Sequence, residues 1–144
     1  MSKIITIRIE EHEAEKPKIV KNADGSYKNV SDYARFFNSS CVAWDANSEY
    51  NLLFLRQQQM YATQRLRAEG YLFLNDVYDM LGMTRSKRGA VVGWVYDEQN
   101  PVGDNYVDFG LFEDYNKEFI NGTINSVLID FNVDGCILDK LSDY

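Results

Sequence analysis

The stretch Asp130-Phe-Asn132-Val-Asp134-Gly135-Cys-Ile137 has the spacing with which a calcium loop opens. Calcium takes roughly six to eight oxygen ligands, and this stretch offers three side chains and the carbonyl of Cys136. The position that should hold a bidentate glutamate is Leu141, and Asp139 falls two residues early. Asp130, Asn132 and Asp134 are therefore a weak calcium candidate. They are better accounted for as the solvent-facing half of an alternating strand that ends in an Asp-Gly turn. A second carboxylate group, Asp97, Glu98, Asp104 and Asp108, crowds one loop. Paired carboxylates can bind magnesium or do acid–base work. No partner base lies nearby in sequence, and the Asp, Asn, Gly and Pro of this loop suit a turn.

Other routes to chemistry are thin. The single histidine, His12, sits in Glu-Glu-His-Glu of a charged stretch. Ser39 and Ser40 lack the glycine frame of a nucleophile elbow. The nine glycines are scattered and form no phosphate-cradling loop. Cys41 and Cys136 have no neighbouring Cys or His at zinc spacing, and both contexts suit small buried residues rather than a disulfide. The expectation is a chain without catalytic residues, transition metal or cofactor.

Charge is the feature that remains. From Asp97 to Tyr144 there are eleven acids against Lys117 and Lys140, a net of −9, while the first 96 residues carry +2, giving −7 in all. Such a field rejects nucleic acid and favours basic partners. The basic residues gather at Arg85, Lys87 and Arg88, with Lys28, Arg65 and Arg67. That is too sparse for a nucleic-acid stripe and reads as a solvated connector. No apolar run approaches the roughly 20 residues that span a bilayer. Met1–Glu10 has no signal-peptide architecture, so the expected location is a cytoplasm. The 14% aromatic content argues that the bulk of the chain folds.

The elements that must position these residues follow from periodicity. Lys3–Ile9 alternates as a strand, Glu10–Lys18 is a charged loop, and Asp24-Gly25 marks a turn, so residues 1–28 read as an N-terminal strand and charged arm. Residues 29–144 read as one core domain. Ser31 or Asp32 is expected to cap a short helix through Phe37. One strong helix runs from about Asn47 or Ser48 to Glu69 and is closed by Gly70, with Ser48 a candidate N-cap. Tyr50, Leu53, Phe54, Gln57 and Tyr61 form its expected core face, widened by Leu52, Leu55 and Met60. Asn75 is expected to cap a helix over 76–81 ended by Gly82. From Ala90 the period becomes two, predicting strands over 90–96, 105–112 and 126–133, the first two as a hairpin. A last short helix falls within 136–141. Helices first and an antiparallel meander after them make the fold class α+β, one long helix and shorter helices packed on a small antiparallel sheet. Trp94, Phe109, Phe131, Leu53 and Phe54 are the expected core.

Four stretches carry a resemblance. They are Ser31-Asp-Tyr-Ala-Arg-Phe-Phe37, Gly70-Tyr-Leu-Phe-Leu-Asn-Asp-Val-Tyr-Asp-Met-Leu-Gly82, Val91–Asp97 running through Asn100–Gly110, and Leu128–Gly135. Together they resemble the C-terminal soluble region of a family of uncharacterised proteins encoded by bacteriophages and prophages of gut Firmicutes. Proteins of that family often begin with a hydrophobic membrane segment, which is not seen in this sequence. The resemblance implies a phage or mobile-element origin and action inside a host bacterium. It transfers no catalytic residue.

The expectation is thus a non-enzymatic protein-binding protein that inhibits or modulates a host or defence protein, in the manner of anti-CRISPR proteins. Its expected partner is a basic protein surface, such as that of a nucleic-acid-handling protein, because carboxylates can stand in for phosphates there. The expected contact residues are Asp97, Glu98, Asp104, Asp108, Glu113, Asp114, Tyr96 and Tyr106. A virion or assembly component that oligomerises through exposed strands is the alternative, and a divalent-metal or small-molecule-binding domain is the third.

Overall fold

The computed structural model describes residues 30–141. The expected strand at 3–9, the Asp24-Gly25 turn, His12 and the arm over 1–28 lie outside the described residues. Within them, helices mix with two small antiparallel sheets, so the chain is α+β. The longest element is helix α1, Ser48–Glu69. Asn47, not Ser48, caps it: its side-chain oxygen accepts from Glu49 N at 2.9 Å and Tyr50 N at 3.2 Å. Gly70 closes it in the left-handed region, at φ 86°, donating to Leu66 O.

The face that α1 buries differs from the one expected, which shares with it only Leu55 and, at its edge, Leu52 and Phe54. Asn51, Leu55, Ala62 and Leu66 are buried, whereas Tyr50, Leu53, Met60 and Tyr61 are exposed. Leu53 is therefore not core. Phe54 lies at the edge, half-buried and stacked on Phe37 at 6.0 Å between ring centroids. The reason is that the true core face contains a polar residue, which hides it from a hydrophobic count. Asn51 is fully buried because its amide accepts from Asp45 N at 3.0 Å and donates to Asp45 O at 2.7 Å.

Strands β1 (Arg35–Phe37) and β4 (Val127–Ile129) pair antiparallel, with Phe36 opposite Leu128. The helix expected over 31–37 is thus corrected to a turn and a strand. Ser31 does not cap; its N–H and hydroxyl both donate to the Asp130 carboxylate, at 3.0 and 2.5 Å, and its oxygen accepts from Tyr33 N. That anchor launches the chain along β4. The second sheet has β3 (Val92–Val95) at its centre, flanked by β2 (Tyr71–Phe73) and β5 (Gly135–Cys136). Leu72 faces Trp94 and Gly93 faces Gly135 across the two ladders. Gly93 allows this closeness, since a Cβ there would collide with Leu72 O.

Both edges of β3 are taken, so the expected hairpin with 105–112 has no edge to pair with. Residues 105–112 are an irregular extended segment, and the strand expected there is corrected accordingly. Phe109 O and Asp108 O accept from Asp130 N and Asn132 N, at 3.0 and 3.3 Å, and several other backbone groups are met by side chains. Thr63 of α1 accepts from Val107 N and donates to Val107 O, and Gln59 accepts from Phe109 N at 2.8 Å. Asn105 at φ 64° and Gly110 at φ 65° bend the two ends. Helix α2, Leu74–Met80, starts two residues earlier than expected. Asn75 does not cap it. Its buried amide instead grips Ser86, accepting from its N–H and donating to its carbonyl, both at 2.9 Å. Four short pieces complete the described fold: 3-10 turns at Arg88–Ala90 and Asp114–Asn116, helix α3 (Lys117–Ile120) and helix α4 (Leu138–Leu141).

The core joins the two sheets to α1. Trp94, Phe109 and Phe131 are buried, as expected. Phe131 meets Tyr78 and Phe109 edge-on at 5.5 and 5.6 Å, and the Arg35 guanidinium covers the Tyr78 ring at 3.8 Å. Cys41 is buried and donates to Phe36 O, but Cys136 is exposed, against expectation, because β5 is an edge strand. Asn116 holds the core from the side. It is fully buried, donates to Gly110 O and Leu128 O, and accepts from Leu128 N. Asn116→Ala removes the side chain that meets Leu128 N and O and leaves Gly110 O with the Glu113 N–H alone, and we expect it to cost about 2–4 kcal/mol in chemical denaturation. A loss under about 0.5 kcal/mol would mean that the amide is dispensable.

Candidate functional site

The acidic half of the chain is organised around Asn132. Its amide oxygen accepts from Trp94 Nε1 at 2.9 Å and Asp108 N at 2.7 Å; its nitrogen donates to Asp104 Oδ2 and Tyr106 O, both at 3.0 Å. One side chain thereby ties β3 to the 104–108 segment and to the stretch after β4. All its hydrogen-bonding capacity is used. Alternation after β4 sends Asp130 and Asp134 to different tasks. Asp130 holds Ser31, as above. Asp134 accepts from Val95 N at 2.9 Å and lies against Gly103, where any Cβ would collide with its carboxylate. The three calcium candidates thus serve three separate backbone contacts. Among the described residues no group of three or more His, Cys, Asp or Glu is placed to hold a metal ion.

The loop after β3 is built by its own acids. Asp97 accepts from Gln99 N and Asn100 N, at 3.1 and 3.0 Å, a turn of the kind that aspartate favours. Asn105 returns the chain, accepting from Asp97 N and donating to Asp97 O, both at 3.1 Å. Tyr96 donates its hydroxyl to Glu98 Oε1 at 2.8 Å, and this bond raises the phenol's pKa above its ordinary value. Tyr106 is exposed. Asp97, Glu98, Asp104 and Asp108, all expected at a contact surface, therefore also hold local structure.

Below this loop the structure opens a cavity of about 430 Å³, walled by Tyr33, Asp108, Glu113, Tyr115, Asp130 and Phe131. A smaller recess of about 260 Å³ continues from it past Glu113 to Asp114 and Phe112. Burial raises the pKa of Tyr115, and the carboxylates of Asp130, Glu113 and Asp108 push it further. The phenol therefore stays protonated, a neutral donor among three anions. At the rim Arg88 donates to the Tyr33 hydroxyl at 3.0 Å and lies 4.8 Å from its ring centroid.

The structure thus joins Asp104, Asp108 and Glu113 through Asn132 and the cavity, adds Asp130, and places Asp114 on the next recess. Asp97 and Glu98 stay on the separate loop. Tyr33 and Tyr115 were missed by sequence reasoning. Tyr33 fell in the stretch expected to be helical, and nothing in local spacing brings it to Tyr115. The ion pairs among the described residues are Arg65–Glu69, Arg65–Asp76 and Arg85–Asp79. None of these involves Asp104, Asp108, Glu113, Asp114 or Asp130. No helix among the described residues is long and apolar enough to cross a membrane.

Residues 2–141 of the chain match a family of unknown function, DUF6353. No curated protein and no solved structure matches it.

Asp134 provides a test of the electrostatics. Burial is the largest influence on it and raises its pKa above 3.8; the Val95 N–H and Lys140 oppose this, and Asp104 adds to it. The folded state then holds the proton more tightly than the unfolded chain. Its contribution to stability is present in full below the unfolded value and is lost as pH rises through the folded one. An amide at this position can still accept from Val95 N but carries no charge. Asp134→Asn should therefore be at least as stable as wild type at neutral pH. As pH falls toward 3.8, wild type should gain on the variant in urea midpoint. A gap that moves the opposite way would mean that the carboxylate is stabilised, not strained, by its site.

Proposed function

The chain belongs to the DUF6353 family, and we propose that it works by binding rather than by catalysis. In this reading it is a phage- or mobile-element-encoded protein of the bacterial cytoplasm. Its acidic face docks on a basic surface of a host or defence protein, as an anti-defence inhibitor does. The observation that supports this is the carboxylate rim: Asp108, Glu113 and Asp130 around one cavity, with no ion pair to any of them among the described residues.

The hydrogen bonds sort the candidates. Asp97, Asp104, Asp108 and Asp130 are engaged with the protein's own loops. Glu113 and Asp114 are exposed and carry no such duty, and exposed Phe112 and Tyr106 lie beside them and beside Asp104. A partner's arginine or lysine entering the rim would meet carboxylates, a neutral phenol donor and aromatic walls. The aromatic side chains supply area, and the charges supply encounter rate and selection against nucleic acid.

Glu113→Lys with Asp114→Lys tests the reading without touching the loops. Proteins captured by wild type from bacterial lysate, at low salt, should be enriched in basic surfaces, and the double variant should lose them. For an isolated partner, raised salt should slow association of the wild type, and the variant should lose that salt dependence. Unchanged capture and unchanged salt dependence would reduce the charge to a solubility device.

A further inference from the structure

Helix α1 carries a second apolar face that the other described residues do not cover. At about 3.6 residues per turn, Tyr50, Leu53, Gln57, Met60, Tyr61 and Gln64 share the side opposite the buried Asn51, Leu55, Ala62 and Leu66. Tyr50, Leu53, Met60 and Tyr61 are 53%, 59%, 50% and 47% exposed. Isolated exposed apolar residues are ordinary, but four along three turns of one helix form a stripe. A groove of about 690 Å³ runs along its flank between Leu53, Met60 and Tyr106, and its charged lining residues are Arg56 and Arg67.

The charges at the ends of the stripe say what fits it. Glu49 stands in the first turn of α1 and Arg67 in the last. They are eighteen positions apart, about five full turns, so they lie on the same edge of the stripe. Neither takes part in an ion pair among the described residues. An acid at the start and a base at the end of one edge is the pattern that an antiparallel copy of the same helix complements. We propose that α1 is the interface of a two-fold symmetric homodimer, pairing antiparallel with α1 of a second copy. Gln57 then lies near the two-fold axis. Leu53 packs against Met60 and Tyr61 of the second copy, Tyr50 packs against its Gln64, and Glu49 meets its Arg67 at both ends. A two-fold interface uses the same patch twice, so each contact occurs in duplicate.

This interface borders the acidic face at Tyr106 and at Arg56, which lies over Phe112, but its contacts are made by other residues of α1, so the variants below test it separately. Sedimentation velocity of the full chain over a concentration series reads it directly. Wild type should sediment as a dimer at the upper concentrations. Leu53→Glu should raise the dimer dissociation constant at least about tenfold by placing two carboxylates in the apolar centre. Glu49→Arg and Arg67→Glu should each weaken the dimer several-fold, and the double variant Glu49→Arg/Arg67→Glu should restore it. Both positions are exposed, so the swap decides the matter even if Leu53→Glu fails to fold. A wild type that stays monomeric would show that the stripe serves another occupant, whether residues 1–29 of the same chain or a foreign protein, and would overturn the proposal. A dimer indifferent to all three charge variants would place the interface elsewhere and overturn it as well.

Discussion

The buried carboxamide of asparagine is the constraint on which this fold depends. An asparagine side chain offers one acceptor and one donor group in nearly the geometry of a peptide. It can therefore close two hydrogen bonds to a passing backbone as a neighbouring strand would. Asn51 does this to Asp45, Asn75 to Ser86, Asn105 to Asp97 and Asn116 to Leu128. Asn132 extends the device to four partners on two segments, β3 and 104–108. The need for it is clear from the strands, which are two to four residues long. Ladders that short leave most backbone groups of residues 97–134 without strand partners, and a buried group without a partner is expensive. Loops held this way depend on each amide finding both of its partners at once.

That device also decides what could be read from the sequence. Helix α1 was legible almost to the residue because its signals are local: an Asn-Ser start, an acid in the first turn and a glycine to close it. Strand β3 was legible from its apolar run. The 105–112 segment misled because Val107, Phe109 and Leu111 do alternate inward, as a strand's side chains would. What differs is who answers the N–H groups of Val107, Phe109 and Asp108: the Thr63, Gln59 and Asn132 side chains, lying 24 to 50 positions away along the chain, while the carbonyls of Asp108 and Phe109 meet the backbone N–H groups of Asn132 and Asp130. Nothing in the alternation distinguishes a ladder from a row of side-chain clamps. The face of α1 misled for a related reason. Its core side includes Asn51 and its outer side includes Leu53, so counting apolar residues selects the wrong half. At the candidate site the carboxylates were legible as a charge excess, while Tyr33 and Tyr115 were not, because only the tertiary fold brings them together.

The carboxylates of the acidic half answer to two demands at once. Asp97, Asp108 and Asp130 shape turns and anchor segments, and a carboxylate that accepts backbone N–H bonds is well used in that role. Their charges also repel one another, which destabilises the compact state. The raised pKa values of Tyr115 and Asp134 are the local trace of that repulsion combined with burial. Asp130 and Asp134 also cross this region, but as carboxylates they only accept, from Ser31 and from Val95 N. An aspartate at 132 would put a further anion beside Asp104 and Asp108 and would have no N–H to offer Asp104 or the Tyr106 carbonyl. Asparagine at this position lets the crossing both donate and accept without adding a charge.

Helix α1 is where the two halves of the molecule meet mechanically. Its Thr63 and Gln59 hold Val107 and Phe109, the residues just before the cavity rim at Gly110 and Glu113. Asp108, between those two anchors, can therefore move little relative to the helix. The acidic rim is thus presented by a rigid element rather than by a free loop, which lowers the ordering cost of any complex it forms. The same helix turns its exposed stripe the other way. If α1 pairs with a second copy, each partner fixes the other's helix, and both rims are carried on one rigid pair. Two acidic faces in fixed relation would engage a basic surface that repeats with the same geometry far more strongly than one face alone, and a surface that does not repeat would gain nothing. The symmetry of the target would then become part of the recognition, alongside its charge.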